Sequence, residues 1–297
     1  MNSTKIWLIT AAVLILGGCI IFGAVMSMLN WDFTALSTVK YRTSSYEISE
    51  EYDSILIDVD VADVVLVPSD STRVVCFEQE KSPHSAYVKD GVLKIELDDS
   101  NTIKKYTGIS FETPCITLYI PSGMYGALEI DAETGNTEIP ENFSFNSISI
   151  TQSTGDIICR ASATERIALK TTTGHIYAEN LSAGEFSADI STGRTFLTDI
   201  KCVSLSSNGN TGDLHLCNVV AAGNFSLERT TGNVIFEHCD AAEIFVSTST
   251  GDVEGSLLSN KTFDVHTTTG RIDIPTTEGE LCRITTTTGD IQIEIKN

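Results

Sequence analysis

A Thr-Gly pair recurs nine times between residues 134 and 289 of this 297-residue chain. Successive glycines are separated by 20, 19, 19, 19, 20, 19, 19 and 19 residues. A period this regular is typical of repeat proteins, in which each unit packs on its neighbours. The glycines that we expect at the repeat turns are Gly135, Gly155, Gly174, Gly193, Gly212, Gly232, Gly251, Gly270 and Gly289.

Apolar residues hold fixed places within each unit. The residue seven positions before the glycine is apolar in all nine units, and the residue five positions before it is apolar in most of them. Positions two and four after the glycine are mainly Ile, Leu or Val. Offsets that differ by two on either side of the turn predict two strands per unit, each with one buried face.

The fold class that follows is all-β: a parallel β-solenoid of 19–20-residue coils. No coil can bury its apolar face alone, so stacked coils share one core, and equivalent strands of successive coils pair in parallel. Glycine permits the positive φ of a tight corner, and the Asp or Asn that often follows it can cap turn amides. In that column we expect Arg271 to lie between Asp252 and Asp290.

The N-terminus carries an uncharged stretch of 24 residues, Ile6 to Leu29. About 20 apolar residues suffice to cross a bilayer core, and Trp7 and Trp31 flank the stretch as interfacial aromatics do. We predict a transmembrane anchor. In an alternative, residues 16–19 resemble a lipobox with Cys19 lipidated, but residues 20–29 stay apolar where a lipoprotein would turn polar.

The predicted organisation has five parts: a short tail 1–5, a transmembrane anchor 6–29, a linker 30–44, a β-rich region 45–127 and the solenoid repeats 128–297. The β-rich region contains a degenerate coil, because the apolar template fits when Ala62 takes the place of the glycine. Asp90-Gly91 predicts a hairpin turn, and Cys115–Ile120 a further strand. We expect this region to cover the membrane-proximal end of the solenoid, which would otherwise expose a pairing edge.

Segments 57–64, 67–70, 91–95 and 116–121, followed by serial Thr-Gly-Asp repeats, resemble the bacterial DUF4097 family, also called the "putative adhesin" or β-strand-repeat domain. The resemblance covers nearly all of the chain after about residue 45. It implies a bacterial, envelope-associated, non-enzymatic β-solenoid, often with an N-terminal membrane helix. Some relatives belong to envelope stress systems that respond to antimicrobial peptides. The family offers no catalytic motif to carry over.

Charge narrows the classes of partner. The chain has 40 acidic and 19 basic residues, and all but Lys5 of these lie beyond residue 30, where the net charge is −22. This argues against a duplex-nucleic-acid binder, which needs Lys and Arg to neutralise phosphates. An acidic surface attracts cationic peptides.

Catalytic and metal chemistry find little support in the sequence. Cys159, Cys239 and Cys282 fall in core columns and are predicted to be buried free thiols, and no CxxC pattern occurs. His215 and Cys217 share an outward face without a third ligand. We predict no catalytic residue, no metal and no cofactor. The histidines expected to form no constellation are His84, His175, His238 and His266.

The residue three positions after each glycine should point outward. On five consecutive coils this position is large: Ile158, Tyr177, Phe196, His215 and Ile235. We call this set the stripe. Outward apolar patches mark contacts, so either the N-terminal region or a second copy covers the stripe, or a ligand or partner binds it.

The resulting hypothesis is a membrane-tethered, non-enzymatic surface module for binding, sensing or adhesion in the cell envelope. Its partners would be the lipid bilayer, through Ile6 to Leu29, and a protein or cationic peptide. The anchor would cross the cell membrane once, with the β domain extracellular. The alternatives are a scaffold or assembly partner in a membrane complex and, less favoured, a polysaccharide-acting enzyme, because basic residues are sparse and carboxylates scattered. The oligomeric state is left open.

Overall fold

A computed structural model describes residues 3–98, 110 and 112–296 of the chain. Residues 1–2 of the predicted tail 1–5 lie outside this range, and so do positions 99–109 and 111 of the predicted β-rich region. The helical elements are α1, Ser3–Met28, and a 3₁₀-helix, Phe33–Leu36. The first seven strands are β1 Tyr41–Glu47, β2 Ser54–Val61, β3 Asp63–Pro68, β4 Arg73–Gln79, β5 His84–Lys89, β6 Val92–Leu97 and β7 Cys115–Ile120.

The solenoid strands follow in chain order. They are β8 Gly123–Thr134, β9 Thr137–Ile139, β10 Phe143–Thr154, β11 Ile157–Cys159, β12 Ser162–Thr173, β13 Ile176–Thr192, β14 Thr195–Thr211, β15 Leu214–Cys217, β16 Val220–Thr231, β17 Val234–Thr250, β18 Val253–Leu257, β19 Lys261–Thr269, β20 Ile272–Asp273, β21 Glu280–Thr288 and β22 Ile291–Ile295. All of these strands belong to one continuous sheet.

Helix α1 is apolar along almost its whole length. Its segment Lys5–Met28 is long and apolar enough to cross a membrane, and its central residues are not packed against the rest of the protein. The helix ends where Asn30 and Trp31 take φ values of 51° and 60°, and the Trp31 amide donates to the Met26 carbonyl at 2.8 Å. A positive-φ residue with a backbone bond back over the last turn is a common helix stop.

The N-terminal strands form an antiparallel cap on a parallel stack. β4 pairs antiparallel with β1 and β7, and β5 pairs antiparallel with β6. β1 begins at Tyr41, inside the predicted linker 30–44. Its side chains are only partly buried or exposed, so it carries no apolar alternation that sequence reasoning could detect.

The degenerate coil around Ala62 is confirmed. β2 pairs in parallel with β8, with Ile55 opposite Leu128 and Ile57 opposite Ile130, and β3 pairs in parallel with β9. On the other side the same coil pairs with β6 and β7 of the cap. The prediction of a parallel β-solenoid is therefore correct, and the Ala62 coil joins the cap to it.

The order of the last two coils differs from chain order. β21 pairs with β17 on one side and with β19 on the other, so the Gly289 coil lies between the Gly251 and Gly270 coils. Accordingly Ile291 is fully buried, whereas Ile272 of the outermost coil is 45% exposed. The sequence could not show this, because every Thr-Gly coil offers the same apolar pattern to its neighbours.

The expected position of Arg271 between Asp252 and Asp290 is consequently wrong. The Asp290 amide donates to Asp252 Oδ1 at 2.7 Å, and the Arg271 amide donates to Asp290 Oδ1 at 2.8 Å. Arg271 thus ends the column, and its guanidinium lies 3.5 Å from Asp290 Oδ2.

The turn glycines stack directly on one another. All nine have φ between 122° and 156°. A Cβ atom on Gly193 would overlap the carbonyl oxygen of Gly174, and the other eight meet a backbone carbonyl of the neighbouring coil in the same way. Glycine at this position therefore satisfies two demands at once, a φ that side chains disfavour and a close backbone approach.

Candidate functional site

Each stripe member is the second residue of its strand, just after a turn glycine, on β11, β13, β14, β15 and β17. Ile158 pairs with Tyr177, Tyr177 with Phe196, Phe196 with His215, and His215 with Ile235, each on the adjacent strand. The strand residues on either side of each stripe member are buried or point inward. Since side chains alternate along a strand, the stripe points outward.

Three of the stripe side chains form a ring stack. The Tyr177 and Phe196 ring centroids are 5.1 Å apart with an interplanar angle of 3°, and those of Phe196 and His215 are 5.0 Å apart at 17°. His175 adds a tilted contact at 6.0 Å from Tyr177. All five stripe side chains are half-buried. Among the described residues, the ring contacts of Tyr177, Phe196 and His215 are with one another and with His175. Each ring therefore covers part of its neighbour.

Carboxylates border the stripe. Glu138 pairs with Ile158 at one end and Glu254 with Ile235 at the other. Beside it, Arg160 lies 2.9 Å from Glu179 and 3.3 Å from Glu138. The stripe is thus about 19 Å long, four strand spacings, with a carboxylate at each end and Arg160 paired with the carboxylates on one side.

A polar ladder runs next to the stripe. Seven of the nine side chains that follow the turn glycines, all but Arg194 and Arg271, accept a hydrogen bond from the backbone amide of an adjacent coil. Examples are His175 N to Asp156 Oδ1 at 2.7 Å and Arg194 N to His175 Nδ1 at 3.0 Å. The expected capping of turn amides therefore occurs, but between coils. It fixes the corner that presents the stripe.

A second corner forms a groove that sequence reasoning missed. Asn180, Asp199, Asn218 and His238 stand six positions after four consecutive glycines, and each has φ of 53–55°. Asn, Asp and His are the side chains that best tolerate this conformation, which is the signal that could have revealed the corner. These residues line an open groove of about 820 Å³ together with Lys201 and Leu181.

The thiols predicted in the core are buried. Cys159, Cys239 and Cys282 are inaccessible to solvent, and burial raises the pKa of each thiol to about 12. Cys217 is half-buried, and His215 stacks on Phe196. A high thiol pKa suppresses the reactive thiolate, so these core cysteines act as small apolar residues.

The expectation that His84 belongs to no constellation is wrong. His84 lies beside Cys76 and Glu78 in the cap, and all three are buried. Cys76 and Glu78 are two residues apart, so they share the inward face of β4. The turn that follows β4 returns the chain to them, and no local spacing rule predicts that turn.

Fold and surface define a class: a parallel β-solenoid with an antiparallel N-terminal cap, a ring-stacked corner and an apolar N-terminal helix. The chain belongs to the DUF4097 family, whose model, described as Toastrack DUF4097, matches residues 52–234 and 197–297. The sequence resemblance is thereby confirmed. No curated protein matches the sequence.

Solved structures are similar to this chain at low sequence identity, and one of them exceeds a TM-score of 0.5. A "putative adhesin" from Parabacteroides merdae has a TM-score of 0.52 at 9% identity, over 86% of this chain and 96% of that one. A "putative adhesin" from Bacteroides fragilis has a TM-score of 0.47 at 16%, over 86% and 97%. A "putative lipid binding protein" from Parabacteroides distasonis has a TM-score of 0.47 at 16%, over 87% and 98%.

Proposed function

We propose that this protein is a membrane-tethered, non-enzymatic binding module of the bacterial cell envelope, and that the stripe is its recognition surface. The observation that carries the proposal is the outward ring stack of Tyr177, Phe196 and His215. Aromatic side chains left outward on consecutive coils contribute little to the core, whereas they supply large contact area to a partner.

The ligand class that fits is a cationic amphipathic peptide. Apolar side chains of such a peptide would pack on the rings, and Lys or Arg would meet ring faces and the Glu254 carboxylate, or displace Arg160 from Glu138 and Glu179. The strip of about 19 Å matches some 13 residues of helix at 1.5 Å each. The net charge of −22 beyond residue 30 would speed the encounter at low salt.

Helix α1 would serve as the tether. In this proposal its short N-terminal end stays inside the cell and the solenoid lies outside, where antimicrobial peptides arrive. A role in envelope stress would follow from that exposure. Alkaline extraction of membranes tests the tether: an anchored chain stays in the membrane pellet, whereas a processed soluble chain is released.

Peptide binding to the full chain in non-ionic micelles tests the recognition surface. The probe is a fluorescent Lys/Leu amphipathic peptide, followed by anisotropy, with a Glu/Leu peptide as the charge control. Raising NaCl from about 10 mM to about 0.5 M should weaken binding at least tenfold, since screening shortens the Debye length. Absent or salt-independent binding contradicts the proposal.

A pair of variants locates the site. Tyr177→Ser with Phe196→Ser should weaken peptide binding at least tenfold, a loss of about 1.4 kcal/mol or more. Val203→Ser is the matched control, because Val203 is 58% exposed on the same strand, β14, but lies outside the stripe. If the double variant binds normally and instead changes oligomeric state, the stripe is an assembly surface and the scaffold alternative holds.

A further inference from the structure

The cap contains a compact cluster of metal-ligand side chains. Cys76 and Glu78 are inaccessible to solvent and His84 is 4% exposed. The Cys76 sulfur, a Glu78 carboxylate oxygen and a ring nitrogen of His84 all lie within 4.8 Å of one another. Among the residues that the structure describes, this is the one group of three or more such side chains close enough to hold an ion together.

Hydrogen bonds hold the cluster in place from two neighbouring strands. Arg42 Nε and Ser44 Oγ of β1 donate to Glu78 Oε1 at 3.1 and 2.6 Å. The His84 backbone amide donates to Glu78 Oε2 at 2.6 Å, and His84 Nδ1 lies 3.0 Å from the same oxygen. The carboxylate is therefore fixed before any ligand arrives, which lowers the ordering cost of binding.

His84 has the hydrogen-bond pattern of a metal-bound histidine, with one ring nitrogen on a carboxylate and the other without a partner. With the Nδ1 proton donated to Glu78, the second nitrogen, Nε2, presents a lone pair, and this buried atom has no hydrogen-bond partner. A buried polar atom left without a partner destabilises the fold, and an ion on Nε2 would remove that cost. Metal-binding histidines almost always donate their other ring nitrogen to a carboxylate or carbonyl. The hydroxyl of Ser82, two residues before His84 in the chain, is also buried without a partner.

We propose that Cys76, His84 and Glu78 bind a zinc ion that fastens the cap. Thiolate, imidazole and carboxylate are the ligand types zinc takes in proteins. Burial raises the pKa of the Cys76 thiol to about 12, so the thiol keeps its proton until an ion arrives. The ion then displaces that proton to solvent when the sulfur coordinates it, and binding releases one proton. Glu78 either coordinates directly or holds His84 in the metal-binding tautomer. Because Glu78 also bonds to β1, the ion would tie β1, β4 and β5 together.

Cobalt(II) titration of the full chain in non-ionic micelles tests the site, since cobalt bound to thiolate absorbs in the near ultraviolet. We expect a thiolate charge-transfer band that saturates at one equivalent of cobalt and is displaced by zinc. We also expect zinc to raise the melting temperature of the wild-type chain. A wild-type chain without the band, or without a zinc-dependent rise in melting temperature, overturns the proposal whatever the variants do.

Variants distinguish this site from the other cysteines. Cys76→Ser should abolish the cobalt band and weaken zinc binding at least tenfold, and His84→Gln should weaken it similarly. Cys115→Ser is the matched control: Cys115 lies on the adjacent strand β7, half-buried, and outside the cluster. An unchanged band in folded Cys76→Ser, or a band lost in Cys115→Ser alone, would place the metal elsewhere and overturn the assignment.

Discussion

At the scale of the residue, the corner of each coil depends on the absence of a Cβ atom from its glycine. The turn glycines have no Cβ, and the carbonyl oxygen of the neighbouring coil occupies the space where a Cβ would lie. In the core, the absence of a Cβ at Gly209 likewise leaves room for the guanidinium of Arg229. Arg229 is 3% exposed, and it donates a hydrogen bond to Ser207 Oγ at 2.9 Å. Burial lowers the pKa of Arg229 to about 10.

Replacing one turn glycine in the middle of the rod should be costly. Gly193→Ala forces an L residue to a φ of 140° and pushes its Cβ into the Gly174 carbonyl. Strain of this kind costs about 1–3 kcal/mol, and the overlap adds to it. We expect Gly193→Ala to lower the denaturant midpoint by the equivalent of about 3 kcal/mol or more.

Gly123→Ala provides the matched control for that variant. Nothing lies within 4 Å of a Cβ at Gly123, and its φ is outside the positive region. Its stability should change by less than about 1 kcal/mol. Equal effects of the two substitutions would show that the glycine stack does not determine the corner.

At the scale of the element, neighbouring coils share the same pattern of apolar residues, so this pattern does not fix the order in which they stack. β21 pairs with β17 along one edge and with β19 along the other, with the same Thr-Gly register. Lys261, the first residue of β19, is fully buried and donates to the Ala241 carbonyl at 2.6 Å, with Asp240 at 2.9 Å. These contacts hold the start of β19. The chain reaches this point from β18 by passing the place that the Gly289 coil occupies.

Cysteine cross-linking should reveal the order of the coils. Ser247 is opposite Thr285, and Thr285 is opposite His266. Adjacent parallel strands are about 4.8 Å apart, within disulfide reach, whereas two spacings are not. We expect Ser247→Cys with Thr285→Cys to cross-link on mild oxidation, and Ser247→Cys with His266→Cys to remain reduced, as peptide mass spectrometry would report. The reverse result would restore chain order.

At the scale of the whole molecule, a strongly acidic rod is held together by a continuous apolar core. The core runs without interruption from Ile55 in the first coil to Ile293. Several of the ion pairs are on the surface, such as Arg283 with Asp264, both more than half exposed. Surface pairs contribute about 0–1 kcal/mol each, so they do not offset the repulsion among the remaining carboxylates.

The melting temperature should therefore rise with salt. Screening at about 0.5 M NaCl shortens the Debye length from about 30 Å at 0.01 M to a few ångströms, which weakens the self-repulsion of the folded state. We expect a rise of at least about 3 °C, corresponding to roughly 1 kcal/mol. The rise should shrink near pH 5, where carboxylates begin to protonate. A melting temperature that falls with added NaCl would show that ion pairs dominate instead.

The period, the buried columns and the outward stripe could all be read from the sequence, because each depends on residues within one coil and on the alternation of a strand. The Ala62 coil is recognisable in the sequence for the same reason. Tertiary structure decided which coils touch, the helical turn and β1 in the region 30–44, and the meeting of His84 with Cys76 and Glu78. Those features depend on contacts between distant segments. Coils with equivalent apolar faces do not specify their neighbours, and an irregular turn produces no periodic pattern in the sequence.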